Sequence, residues 1–303
     1  MTGQRCGVLG GVERERAERV LDTINADERW LWVIAGRPDG GEQGGAWYVE
    51  GVDGRTAVLK ISDPSWAEQM LLAEEAVGMV RRAGYPTPAW IRCGRTADGI
   101  GYQLQERVPG ARLTSVDVGG ARALISTIDL QAGLNPAPGR NWNDFVVDQL
   151  TRDMGNLCSA SATAGASGMA LVEICRRLAD DVDARDWPCS DMVHGDFRPA
   201  NVLLMNGEVT GVVDVEAIGS GTRAFDFATL LSYGPIDGDA VELIVNAGSL
   251  AGGQQALRAC VALVFLDLVR FAAARPDATP ETTAFEAARL VERAAMVEAL
   301  TNW

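Results

Sequence analysis

The hydrophobic period changes once along this chain, at the short connector ERVPG (106–110), and that change restricts the possible folds more than any other feature. Before it, the runs WLWVIAG, AWYVE, RTAVLKIS, AWIRCG and GYQLQERV read as short strands bounded by glycine-rich and Asp-Gly turns, the pattern of an antiparallel sheet. A hairpin turn is expected at Val52, Asp53, Gly54 and Arg55, with the following strand ending on Lys60. Two helices accompany the sheet. One spans 12–26, with Val12, Ala17, Val20, Leu21 and Ile24 at helical spacing; the other spans 65–84, closed by Gly84 and kept from continuing by Pro86 and Pro88. After the connector, helical spacing recurs at 117–131, 142–165, 169–185, 237–250, 254–274 and 280–300. The least structured pieces are expected at LNPAPGRN (134–141) and SATAGASG (161–168). A length of 303 residues is enough for two lobes, here 1–108 and 109–303, with a hinge at about 104–109.

Charge and composition narrow the function classes. With 27 Lys plus Arg against 41 Asp plus Glu, the formal charge of −14 opposes a phosphate backbone, so no nucleic-acid partner is expected. The same charge suits a cationic ligand, or serves solubility alone. Six cysteines without a CxxC pair and a single histidine give little material for a zinc site, so reduced thiols are expected. The N-terminus lacks an apolar stretch of signal-peptide length, and the most apolar helix, ACVALVFLDLV, is short and interrupted by Asp267. The expectation is a cytoplasmic protein with no membrane partner; the oligomeric state is not legible.

The chemistry is concentrated in HGDFRPAN (194–201), which holds the only histidine. Asp196 is followed five residues later by Asn201, and thirteen further on comes Asp214, in VVDVE. Two strands turning at Asn206-Gly207 would bring Asn201 and Asp214 to one end of a ribbon. That makes an oxygen-rich corner suited to Mg2+, which uses one or two protein side chains together with phosphate oxygens and water. Phosphoryl transfer to an alcohol also needs a carboxylate at the hydroxyl and a cation on the phosphates. Lys60, at a strand end after a glycine-rich turn, and Glu74 or Glu75 on the next helix supply the remaining pieces in chain order. Each piece alone has an ordinary reading, as a solvated lysine or a hairpin turn; their order relative to HGDxxxxN is what points to this chemistry.

HGDFRPAN, VVDVE (212–216) and RAFDFATLL (223–231), in this order and spacing, resemble the aminoglycoside phosphotransferase family, small-molecule kinases of the wider protein-kinase fold. The resemblance implies an α+β, bilobal protein-kinase-like fold, with an N-lobe antiparallel sheet and helices and a mostly helical C-lobe. It implies that Asp196 is the catalytic base or the carboxylate that orients the acceptor hydroxyl, and that Asn201 and Asp214 ligate magnesium. Lys60 would contact the nucleotide phosphates and pair with a helix glutamate, Glu75 being favoured over Glu74. The carbonyl of Glu106 and the NH of Val108 would hold the base, and Gly40, Gly41, Gly44 and Gly45 would cover the phosphates. His194 reads as shaping the turn. Asp226 is either a helix N-cap or, as the resemblance implies, a brace for the catalytic turn. Arg198 either neutralises charge on the transferring phosphate or is solvated, and Glu216 either reaches the metal site or bonds nearby.

The absence of a glycine after Asp214 in DVE and of an APE-like segment argues against protein substrates. Asp144, Asp148 and Asp153, with the acidic run 180–186, form either a cation-binding floor or a solvated face. Asp267 is either a pocket residue or the partner of Arg270. The expected activity is an ATP- or GTP-dependent O-phosphotransferase acting on a hydroxyl of a small molecule, foremost a cationic antibiotic. A metabolic kinase of choline, amino-alcohol or sugar type and a nucleotide-binding pseudokinase sensor are the alternatives.

Overall fold

The structure, a computed structural model, describes residues 3–27, 31–38, 45–137, 139–180 and 182–301. It is α+β and divides into two compact units, one of 1–82 with 87–109 and the other of 83–86 with 110–303.

The first unit runs α1 (Gly3–Asp27), β1 (Trp32–Gly36), β2 (Ala46–Gly51), β3 (Thr56–Ser62), α2 (Pro64–Arg82), β4 (Trp90–Arg95) and β5 (Gly101–Glu106). Its five strands form an antiparallel sheet in the order β1-β2-β3-β5-β4. Side-chain alternation separates the sheet's faces. Trp47, Val49, Ala57, Leu59, Tyr102 and Leu104 pack with Ala17, Val20, Leu21 and Ile24 of α1 into one apolar core. The intervening residues Tyr48, Val58, Lys60, Gln103 and Gln105 turn to the other face. That second face is polar even where it is buried: Gln103 donates to Gln105 at 2.8 Å, both buried. The β2–β3 hairpin turns where the Asp-Gly signal places it, with Gly54 at φ +80°.

The second unit contains β6 (Ala111–Arg112), α3 (Val118–Asp129), α4 (Trp142–Arg152), α5 (Met154–Ala162), α6 (Gly165–Leu178), β7 (Asp191–Val193), β8 (Val202–Met205), β9 (Glu208–Val212), β10 (Gly219–Gly221), α7 (Ala224–Ser232), α8 (Gly238–Gly252), α9 (Gln254–Ala274) and α10 (Pro280–Leu300). Every residue of α7 is buried, and α7 packs on α8 and α9. An enclosed helix needs partners for its last carbonyls, and α10 supplies them. Arg293, 8% exposed, donates to the carbonyls of Leu231, Tyr233 and Gly234, while Arg289 donates to that of Ser232. The guanidinium charges also sit at the negative end of the helix dipole.

Two expectations need correction. The helix expected over 142–165 is two helices, α4 and α5, broken at Asp153. The Asp153 carboxylate accepts from Asn156 and from Arg270 of α9, which holds the break in place. The segment 161–168, expected to be loosely structured, is mostly helical, with α5 ending at Ala162 and α6 starting at Gly165 rather than at 169. Its small residues are packing devices. A Cβ at Gly168 would lie 1.9 Å from the Ser161 carbonyl, and Ser161 Oγ donates to the Leu266 carbonyl of α9 at 3.3 Å.

No helix among the described residues is long and apolar enough to cross a membrane. Cys158, Cys175 and Cys260 are free and buried, and burial pushes the thiols of Cys175 and Cys260 up, which makes them poor nucleophiles.

Candidate active site

The β8–β9 hairpin builds the centre of the site. Asn206 at φ 56° and Gly207 at φ 83° give the left-handed pair that a two-residue hairpin requires. The resulting register pairs Val202 with Val212, and Val213 N donates to the Asn201 carbonyl at 2.8 Å. Asn201 and Asp214 are thereby set at the open end of the same ribbon. Asp214 itself takes φ 65°, ψ 42°, a left-handed conformation that costs a non-glycine residue about 1–2 kcal/mol. Stored strain of this kind clusters at functional sites.

The turn that carries His194 and Asp196 stands between β7 and a 3-10 turn at Pro199–Asn201. Asn201 Nδ2 donates to both the Asp196 carbonyl, at 3.0 Å, and Asp196 Oδ2, at 2.9 Å. Arg198 Nε meets the same Oδ2 at 3.2 Å, and its guanidinium lies over the Tyr233 ring, 5.2 Å from the centroid. Oδ2 therefore takes both the Asn201 hydrogen bond and the Arg198 ion pair, and among the described residues no hydrogen bond falls on Oδ1. Burial raises the Asp196 pKa, with Arg198, His194 and Asn201 pulling it down, an environment suited to a carboxylate that receives a proton.

His194 is fully buried. Asp196 N donates to its Nδ1 at 3.2 Å, so Nδ1 is the acceptor, and Nε2–H donates to the Val213 carbonyl at 3.0 Å. Burial holds the imidazole below its usual pKa and keeps it neutral. With both ring nitrogens engaged, the histidine links its own turn to the residue before Asp214. Beneath it, Asp226, also fully buried, accepts from His194 N at 2.7 Å and Gly195 N at 3.0 Å. A carboxylate chelating two successive amides does more than cap its own helix. Burial pushes Asp226 up to about 7 against the pull of those amides and of Gln131.

Several supporting side chains escape sequence reading. The Trp142 indole closes over the turn so tightly that a Cβ at Gly195 would lie 2.4 Å from it, and one at Gly219 would lie 2.6 Å from it. Asp191 accepts from Gly133 N at 2.9 Å and from Arg223 at 2.9 Å, tying the start of β7 to the RAFDF segment. These contacts join positions far apart in the chain, and the only local hint was the recurrence of Arg223 and Asp226 in one motif. Gly195, at φ +86°, has no room for a side chain and no conformation for one. Gly195→Ala is expected to lower stability by about 2–3 kcal/mol, read from urea midpoints, with a fall in turnover beyond the loss of folded protein.

The remaining expected residues are spread over both units. Lys60 is half-buried on β3, paired in register with Ala46 and Gln103. Glu74 and Glu75 are both exposed, since α2 buries Ala73, Ala76 and Val77 instead, and among the described residues no ion pair reaches either glutamate. Glu106 ends β5, its carboxylate accepting from Ala89 N at 3.3 Å, and Val108 comes two residues later, half-buried. The Gly45 carbonyl accepts from Ile61 N at 2.8 Å, while Gly40, Gly41 and Gly44 lie outside the described residues. Glu216 is half-buried beside Asp214, and its carbonyl accepts from Arg140 at 3.3 Å. Asp267 pairs with Arg270, which also reaches Asp153 at 3.2 Å, so its charge is compensated within a surface group.

Among the described residues, no group of three or more His, Cys, Asp or Glu side chains is placed to hold a metal ion. Asn201 and Asp214 nonetheless fit a hard cation that needs few protein ligands: the Asn201 amide nitrogen is committed to Asp196, which leaves its oxygen to offer, and the Asp214 carboxylate is partly exposed.

Residues 35–260 match the phosphotransferase enzyme family (APH). Among solved structures, the chain is similar to a thermostable mutant of aminoglycoside phosphotransferase APH(4)-Ia in ternary complex with ADP and hygromycin B, with 16% identity and a TM-score of 0.57 over 93% of this chain and 97% of that one. An aminoglycoside phosphotransferase from Alicyclobacillus acidocaldarius is similar at 15% identity and TM-score 0.56, covering 88% and 91% of the two chains. Macrolide 2'-phosphotransferase MphH from Brachybacterium faecium gives 17% and 0.55, covering 91% and 98%. At such identities the likeness is one of fold, the kinase-like fold of these enzymes. A homoserine kinase of Chelativorans sp. (strain BNC1) is 33% identical over 90 residues, a stretch spanning 27% of this chain and 28% of that relative.

Proposed function

Since this chain belongs to the phosphotransferase enzyme family, we propose that it transfers the γ-phosphoryl group of ATP or GTP to a hydroxyl of a small molecule, foremost a cationic antibiotic such as an aminoglycoside. The observation that carries this reading is the Asp196 carboxylate, held on Oδ2 by Asn201 and Arg198 and left with Oδ1 for an acceptor. Asp196 orients the hydroxyl and takes its proton as the oxygen attacks phosphorus. Arg198, spanning the carboxylate and the Tyr233 ring, offsets negative charge at the reacting groups. Asn201 and Asp214 would hold Mg2+, which when bound supplies charge neutralisation on the nucleotide phosphates. In the first unit, Lys60 would contact the phosphates, residues 40–45 would cover them, and the backbone of Glu106 and Val108 would hold the base. Glu75 remains the proposed partner of Lys60 in the nucleotide-bound protein. His194 and Asp226 support the turn and touch no reactant.

Antibiotic acceptors are favoured by the aminoglycoside and macrolide phosphotransferases among the similar folds and by the formal charge of −14. The homoserine kinase match favours a second reading, a metabolic kinase of an amino alcohol. One assay separates them: acceptor-dependent release of ADP or GDP with magnesium across aminoglycosides, basic peptide antibiotics, macrolides, homoserine, choline and simple sugars. Turnover is expected with one antibiotic class. Turnover with homoserine or choline alone would move the protein to the second reading, and nucleotide binding with no turnover on any acceptor would overturn both in favour of a sensor.

A further inference from the structure

The chain between α2 and β4 belongs to a different unit from the elements it joins. Residues Ala83–Pro86 cluster with the second unit, although α2 and β4 on either side belong to the first. Gly84, at φ +97°, lets the chain leave α2 sharply, and the next two residues are tied down one after the other. The Pro86 carbonyl accepts from Val212 N at 2.6 Å, on the strand that leads into Asp214. Tyr85, 2% exposed, accepts at its hydroxyl from Gln131 Nε2 at 3.1 Å. Gln131 is itself fully buried, and its backbone carbonyl accepts from Met192 N at 2.9 Å, two residues before His194. The four-residue segment thus reaches both arms of the site: β9, which leads to Asp214, through Pro86, and β7, which leads into the turn of His194 and Asp196, through Tyr85 and Gln131.

We propose that Ala83–Pro86 is a positioning element of the site, in which Tyr85 acts through Gln131 on β7, the strand that leads into the turn carrying Asp196. The inference rests on the phosphotransferase reading. Gln131 is buried with its side-chain amide bonded to the Tyr85 phenol and its backbone carbonyl bonded to β7, so displacement of Tyr85 is passed on to that strand. Neither Tyr85 nor Gln131 touches a reactant, and both are positioning residues.

The test is a double-mutant cycle of Tyr85→Phe and Gln131→Leu in the full chain, read by steady-state kinetics and by amide hydrogen exchange of the peptide covering 192–197. Each single change is expected to lower kcat about tenfold with KM for nucleotide and acceptor unchanged, the effect of one buried hydrogen bond. The double variant is expected to be no worse than the weaker single, because the residues act as one chain. Exchange at His194–Asp196 is expected to quicken about tenfold in all three variants while peptides of α9 and α10 keep their protection. The inference is overturned if the two effects on kcat multiply independently, if kcat and local exchange match wild type, or if protection falls evenly across 110–301. Should the wild type transfer phosphate to no acceptor, the functional reading fails alone, and local exchange still decides whether Tyr85 and Gln131 hold the turn.

Discussion

Asp196→Asn is expected to lower kcat by about two to four orders of magnitude, the range that a positioned proton acceptor contributes, while leaving fold and nucleotide affinity near wild type. The asparagine is nearly isosteric, and its oxygen can take over the bond that Oδ2 now receives from Asn201. Its NH2 group then faces the acceptor hydroxyl in place of Oδ1, a donor where an acceptor is needed. The substitution also removes the negative partner of Arg198. Stopped-time assays of the active acceptor, with thermal melting and nucleotide titration as controls, check this. Retention of more than about a tenth of wild-type kcat, with an intact fold, would remove Asp196 from the role of proton acceptor.

The largest loss of stability is expected at Asp226. Asp226→Ala strands the amides of His194 and Gly195 in a fully buried place and is expected to cost about 3–5 kcal/mol. Asp226→Asn separates charge from shape. Burial pushes the carboxyl up to about 7 in the folded chain, against a value near 3.8 in the unfolded one. A group raised on folding contributes stability that is complete below the unfolded pKa and is lost as pH rises through the folded one, because over that interval the folded state holds the extra proton. The stability advantage of wild type over Asp226→Asn is therefore expected to shrink between about pH 4 and 7, by an amount on the order of 4 kcal/mol. Urea unfolding of both proteins at pH 4.5, 6 and 7.5 measures it. An advantage that holds steady or grows over that range would mean that Asp226 is ionised throughout.

The legible parts of this protein are those encoded at short range. The β2–β3 and β8–β9 hairpins turn at Asp53-Gly54 and Asn206-Gly207, because local backbone preference and strand alternation agree there. The same alternation sets Lys60 on the face opposite the α1 core. Reading failed where a residue's local preference conflicts with its packing. Serine, alanine and glycine at 161–168 signal a loop locally, yet they let helices approach closely, a use visible only once Leu266, about a hundred positions later, is in contact. The break at Asp153 in the helix expected over 142–165 is held by Arg270 on a distant helix. Chain order does not decide between Glu74 and Glu75 as the partner of Lys60, because α2 leaves both glutamates exposed.

By itself, the sequence singled out the candidate residues: a carboxylate, an amide and a second carboxylate within nineteen positions, 196–214, on a turn and hairpin whose geometry is local. Only the tertiary structure decided how they are held. Asp226 and Trp142 meet the His194–Asn201 turn from two separate segments, Gln131 and Tyr85 hold the strand before it, and a buried hydrogen bond or a ring closed over a glycine depends on three-dimensional proximity that no local pattern records. Motifs are legible because turn and strand preferences act over a few residues; their support is not, because packing and desolvation act between residues that meet only when the chain has folded.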